Sequence, residues 1–122
     1  RVSSAQPTSG RRRSNLVRGF DMRIALTVSL TGKSAYEGRH VMQGLELLRE
    51  VANNNSEFKT VSGEPIKLIL QIEDDRANEF RAEALYKELI ESGVTDVFLG
   101  PYSSGLSLKA SKVVDAAGKI IM

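Results

Sequence analysis

The residues best equipped to bind something lie in two polar stretches, each following a short apolar run. The first is Leu30–Glu37, after Ile24–Leu30, and the second is Gly100–Ser104, after Asp96–Leu99. In the second, Gly100 and Pro101 shape a tight exit, while Ser103, Ser104 and Gly105 open a segment of helical spacing. Hydroxyls and free amides at a helix start form a donor cluster suited to a carboxylate or another anion. The plain structural role of these residues is capping, with Ser104 as the expected cap. The two roles are compatible. Tyr36 and Tyr102, one on each stretch, offer rings that could cover the apolar part of a small molecule; as ordinary surface tyrosines they would do nothing of the kind.

Other combinations fail on inspection. Thr31-Gly32-Lys33-Ser34 after an apolar run imitates a nucleotide-binding P-loop, but the phosphate cradle needs a glycine where Thr27 stands. The expected helix start near Gly38 also lies too far along for Ser34 to hold Mg²⁺. Gly32 and Gly38 alone do not make a dinucleotide fingerprint. Asp74 and Asp75 suit a metal pair or a phosphoacceptor by type, yet Val28, Ser29 and Gly100 occupy the positions where a response regulator needs its other acids. Turn formation and support for the next helix start are the simpler account. His40, the one histidine in a chain without cysteine, has no partner for a metal site or a triad and is expected to face solvent. No nucleophile, base and oxyanion arrangement is legible, so the chain reads as a non-enzyme, with no cofactor or metal.

These stretches need elements to hold them, and the elements alternate. Ile24–Leu30, Ile66–Ile72, Asp96–Leu99 and Lys119–Met122 read as strands. Between them run three helices, from about Gly38 to Asn53, from Asn78 to a Gly93 stop, and from Gly105 to Ala117 before Gly118. Val41, Leu45, Leu48 and Ala52 are the expected buried stripe of the first helix, and Phe80, Ala84, Leu85 and Leu89 that of the second. Asn53–Ser56 should end the first helix through the left-handed geometry that Asn tolerates. Strands separated by helices demand crossovers, so the expected fold is an open parallel three-layer α/β/α sheet with flavodoxin-like strand order 2-1-3-4. In that order the ligand crevice lies beyond the carboxyl ends of strands one and three. A last strand without a covering helix implies part of a larger domain with an exposed sheet edge, a route to a homodimer.

The 122 residues are 41% hydrophobic and 26% charged, with net charge +2 and no cysteine. An ordinary apolar fraction at this length means roughly one small folded domain. The charge is uneven. Residues 1–22 hold five arginines against Asp21, a net +4, which leaves −2 for residues 23–122. A basic excess confined to a Ser-, Gly- and Pro-containing tail is not the charged face that nucleic acid would need. Residues 1–21 are therefore expected to be a disordered tail or leader, with no convincing export signal.

With the segments in place, residues 22–122 resemble the start of lobe one in the type I periplasmic solute-binding proteins, the Leu/Ile/Val-binding and receptor ligand-binding family. The residues that carry the likeness are Leu30-Thr31-Gly32, Ala35-Tyr36-Glu37-Gly38, Gly44 ahead of Leu45, Ile72-Glu73-Asp74-Asp75 and Val97 through Gly105. Lys33 departs from the usual Pro after the loop glycine. The resemblance implies two α/β lobes closing on an amino acid or similar carboxylate, in the periplasm or outside the cell, for a membrane transporter or an attached signalling domain. It also implies that Ser103 and Ser104 hold the ligand's carboxylate and that Tyr36 or Glu37 forms a lip over the cleft. On this reading the chain lacks the second lobe and binds such a ligand weakly by itself. The rival readings are a P-loop-like nucleotide-binding protein and a free-standing flavodoxin-like interaction domain.

Overall fold

The computed structural model describes residues 19–122. Most of the proposed 1–21 tail lies outside the described residues. Six elements follow in order: β1 (Phe20–Val28), α1 (Ala35–Asn53), β2 (Ile66–Asp74), α2 (Glu79–Ser92), β3 (Val97–Phe98) and α3 (Ser104–Ala116). The sheet order is β2-β1-β3, all parallel. Ile121 bridges Phe98 in parallel, and the Met122 N–H reaches the Phe98 carbonyl at 2.9 Å, so the fourth strand position opens beside β3. The 2-1-3 part of the expected α/β order is what the chain adopts, while the expected strand Lys119–Met122 is reduced to the single bridge at Ile121.

β1 is the central strand, and its second half is buried on both faces. Side chains alternate along a strand, so Ala25 faces a core of Tyr86, Leu89, Phe98, Ala110 and Val114, under α2 and α3. Leu26 and Val28 face the other way, onto Leu45 of α1 with Val41, Leu70 and Ile72 around it. Helices therefore cover both faces, as crossover connections require.

Several boundaries differ from expectation. β1 begins at Phe20 and pairs Phe20 and Asp21 with Ile66 and Lys67, so the end of the proposed tail is strand. The Phe20 N–H also bonds the Pro65 carbonyl, and this pairing outweighs the polar local composition. β2 extends through Glu73 and Asp74, paired with Thr27 and Val28. β3 contracts to two residues, although Asp96 and Leu99 still donate to the Arg23 and Ala25 carbonyls.

The helix starts and stripes shift too. α1 begins at Ala35, three residues early, because Gly38 lets its first turn pass against the end of β1. A Cβ at Gly38 would collide with the Ser29 carbonyl oxygen. Leu45 is buried, but Leu48 is 45% exposed and joins Leu47 and Val51 on an open apolar face. The helix does not end in left-handed geometry, since Asn54 has φ −104°. Asn53 instead turns its amide onto β2, donating to the Leu68 carbonyl at 3.1 Å and accepting the Leu68 N–H at 2.7 Å. The Ile66 N–H is taken by the Phe58 carbonyl, so part of the outer edge of β2 is occupied from within the chain.

In α2 the Asn78 side chain accepts the Arg81 N–H at 2.9 Å and Gly93 closes the helix at φ 72°, both as expected. Its buried stripe is Ala82, Leu85, Tyr86 and Leu89, rotated from the expected Phe80 and Ala84. Phe80 is 72% exposed and carries the Lys109 ammonium 5.1 Å from its ring centre. The anchor that sets the rotation is Tyr86. Its hydroxyl donates to the Leu99 carbonyl at 2.5 Å and accepts the Thr27 N–H at 3.2 Å, linking the exits of β1 and β3. Burial pushes its phenol up to about 12, aided by the nearby Asp75 charge and opposed by its hydrogen bonds with Thr27. Tyr86→Phe keeps the ring but leaves the buried Thr27 N–H and the part-buried Leu99 carbonyl without this partner, an expected loss of about 1–3 kcal/mol in urea unfolding. A variant as stable as the parent would show that the bridge contributes nothing.

Candidate functional site

Parallel strands deliver their exits to one end of the sheet, and two carboxylates organise that end. Asp75, fully buried, accepts the Thr27 and Ser29 hydroxyls at 2.6 Å each and the Ala77 N–H at 2.9 Å. Asp74 accepts the Leu30 N–H at 2.9 Å, the Thr31 hydroxyl at 2.7 Å and the Arg76 N–H at 2.9 Å. Burial alone would raise the Asp74 carboxyl. The bonds from the Thr31 side chain and from the Arg76, Leu30 and Thr31 amides outweigh burial and hold it below the ordinary carboxylate value. The turn formation expected of these acids is present, and with it a clamp between the exits of β1 and β2 that sequence reasoning missed. A signal existed. Thr27 and Ser29 are polar residues two apart on one face of the central strand, which requires a buried partner.

Backbone geometry at the clamp is unusual. Arg76 and Ala77 have φ 54° and 56°, a left-handed pair without glycine, which costs energy and persists only where surrounding contacts enforce it. Gly32, at φ 91°, passes so close to the Arg76 carbonyl that a Cβ would sit 2.6 Å from its oxygen. Arg81 Nε holds the Asp74 carbonyl at 2.8 Å. The loop from β1 to α1 is thereby pinned to the turn after β2.

Above this base, Tyr36 and Glu37 from the start of α1 meet Tyr102 from the loop after β3. With His40 and Val41 they line one open groove of about 430 Å³. Both tyrosines are mostly exposed, at 64% and 59%. His40 is exposed as expected, yet it also belongs to the groove wall. Ser103, half-buried, caps α3 by accepting the Leu106 N–H at 3.3 Å, so the capping role expected of Ser104 falls to its neighbour. The reason is that α3 begins one residue early. Ser104 is exposed, and Gly105 lies beside the Glu79 carboxylate, which would have to swing aside for a Cβ there. Tyr36, Glu37 and Tyr102 are thus brought together in one wall, while Ser103, Ser104 and Gly105 sit next in the chain to Tyr102 without lining it. Among the described residues, no group of three or more His, Cys, Asp or Glu is arranged to hold a metal ion.

The P-loop imitation fails for one of its two stated reasons. Thr27 is buried in β1 and committed to Asp75, so no glycine cradle exists. The helix does begin directly after Ser34, so the objection from a late helix start does not hold.

An open parallel sheet with its loops gathered at the β1 and β3 exits is the architecture of a ligand-binding α/β lobe. The chain belongs to the periplasmic binding protein family, whose family model matches residues 21–122. Among solved structures it is similar to a possible leucine/isoleucine/valine-binding protein from Rhodopirellula baltica. That match has TM-score 0.73 and 14% identity, and covers 88% of this chain and 28% of the other. It is also similar to an ABC-type branched-chain amino acid transporter protein from Rhodopseudomonas palustris, at TM-score 0.65 and 26% identity, covering 83% of this chain and 26% of that one. A solute-binding protein of R. palustris in complex with benzoate matches at TM-score 0.62 and 25% identity, with the same coverage of 83% and 26%. The chain therefore spans little more than a quarter of each of these proteins.

Proposed function

We propose that the chain supplies the first-lobe wall of a solute-binding cleft and binds, without catalysis, a small carboxylate such as a branched-chain amino acid or an aromatic acid. The observation that carries this reading is the convergence of Tyr36 and Tyr102 from two separate strand exits onto one groove, directly ahead of the hydroxyl-bearing start of α3. Rings on the groove wall suit the apolar body of such a ligand, and Ser103, Ser104 and the amides beside them suit its charged end. Family membership supports a solute-binding role and a periplasmic setting, and relatives that carry branched-chain amino acids or benzoate support the ligand class. Delivery to a membrane transporter is the corresponding role for the whole protein.

With one lobe's contacts only, affinity should be weak, with Kd on the order of 1 mM, about −4 kcal/mol. Amide chemical shifts followed during titration with isoleucine and with benzoate test this. The expected result is movement confined to residues 36–41 and 102–105. Silence at both groups of amides up to tens of millimolar would overturn the reading.

A further inference from the structure

His40 is held in the groove by contacts that settle its chemistry. Its Nδ1 lies 2.9 Å from the Tyr36 carbonyl oxygen. A carbonyl only accepts, so Nδ1 carries the hydrogen, and Nε2 has no hydrogen-bond partner among the described residues. Nε2 is an acceptor while the ring is neutral and a second donor once the ring is protonated. The imidazole centre lies 4.7 Å from the Tyr36 ring centre with the planes tilted 59°. His40 therefore borders the same ring that walls the groove, together with Glu37, Val41 and Tyr102.

We propose that His40 is a specificity residue of this groove, and that its protonated ring favours a carboxylate ligand over a neutral one of the same shape. This rests on the ligand-binding reading above. The titratable groups that line the groove with His40 are Tyr36 and Glu37 of its own helix and Tyr102 from the loop after β3, and the guanidinium of Arg39, next to it in the chain, lies 6.0 Å from the Tyr36 ring centre. Between about pH 5.5 and 8, carboxylates, phenols and guanidinium groups as classes keep their charge, and imidazole changes it. A cation at Nε2 adds a charge-assisted donor for an anion and strengthens the contact with the Tyr36 face.

The test is titration of the full chain with benzoate and with benzamide at pH 5.5 and pH 8, read at the Tyr36 and Tyr102 amides, for the parent and for His40→Gln. Benzoate should bind roughly threefold to tenfold more tightly at the lower pH, benzamide should show no such change, and His40→Gln should flatten the benzoate dependence. Benzoate shifts at both amides with equal affinity at the two pH values would overturn this inference and leave the groove as a binding site. A pH dependence that survives His40→Gln would overturn it equally. Absence of shifts with either compound would overturn the binding reading, and this inference with it.

Discussion

Gly38→Ala is expected to cost about 3 kcal/mol or more, because the added methyl has no place to go. The obstacle is the Ser29 carbonyl at the end of the central strand, which cannot rotate aside as a flexible side chain could. Either α1 moves off the sheet or the β1 exit distorts, and both disturb the contacts of Leu26 and Val28 with Leu45. At about 4–8 °C per kcal/mol for a domain of this size, the thermal midpoint should fall by more than about 10 °C. Gly44, six residues on in the same helix, has no atom within 4 Å of a Cβ. Gly44→Ala should therefore stabilise, by about 0.5–1 kcal/mol through helix propensity. Opposite signs at two glycines of one helix are the signature. A Gly38→Ala protein melting within a few degrees of the parent would show that the close approach is not real.

The second large effect is at Asp75. Asp75→Ala removes the acceptor for two buried hydroxyls and the Ala77 N–H together. Each unmatched buried donor costs about 1–3 kcal/mol, less whatever local rearrangement recovers. The expected loss is about 3 kcal/mol or more by urea unfolding. Asp75→Asn keeps the oxygen that serves Ser29 and the Ala77 N–H, and the Thr27 hydroxyl can turn to accept from its amide, so its loss should be about half as large. If the two variants lose equal stability, or neither loses any, the clamp is not held by hydrogen bonding at this carboxylate. The turn at Arg76 and Ala77 should loosen in Asp75→Ala, since the Ala77 N–H bond helps hold its left-handed backbone.

Much of the architecture could be read from the residues because local pattern and global demand agree there. Alternating apolar runs and helical stripes imply crossovers, crossovers imply parallel strands, and parallel strands imply exits at one end. Asn78 and Gly93 mark the limits of α2 by the chemistry of helix ends alone. What escaped notice depended on contacts far apart in the chain. Phe20 and Asp21 look like tail until Ile66 and Lys67 pair with them. Tyr86 is partly polar by composition, yet its hydroxyl has two buried partners, and this turns the helix so that Phe80 faces outward. The start of α1 depends on the absence of a side chain at Gly38, which only the neighbouring strand makes meaningful.

The candidate groove was legible to the same extent. Tyr36, Glu37 and Tyr102 could be assigned to converging loops from topology alone, and they line a common wall. The capping hydroxyl was one residue off, at Ser103, because a helix start cannot be fixed that finely from spacing. His40 looked inert for want of a metal or triad partner, and its place beside Tyr36 comes from the one-turn separation of the two residues once α1 begins at Ala35.

The amide of Asn53 does for β2 what a neighbouring strand would do. By taking both the donor and the acceptor of Leu68, it denies an approaching polypeptide the pair of groups with which a cross-molecule ladder would start there. The residue that finishes a helix thus also closes part of the sheet's open flank, next to the Phe58 carbonyl that takes the Ile66 N–H.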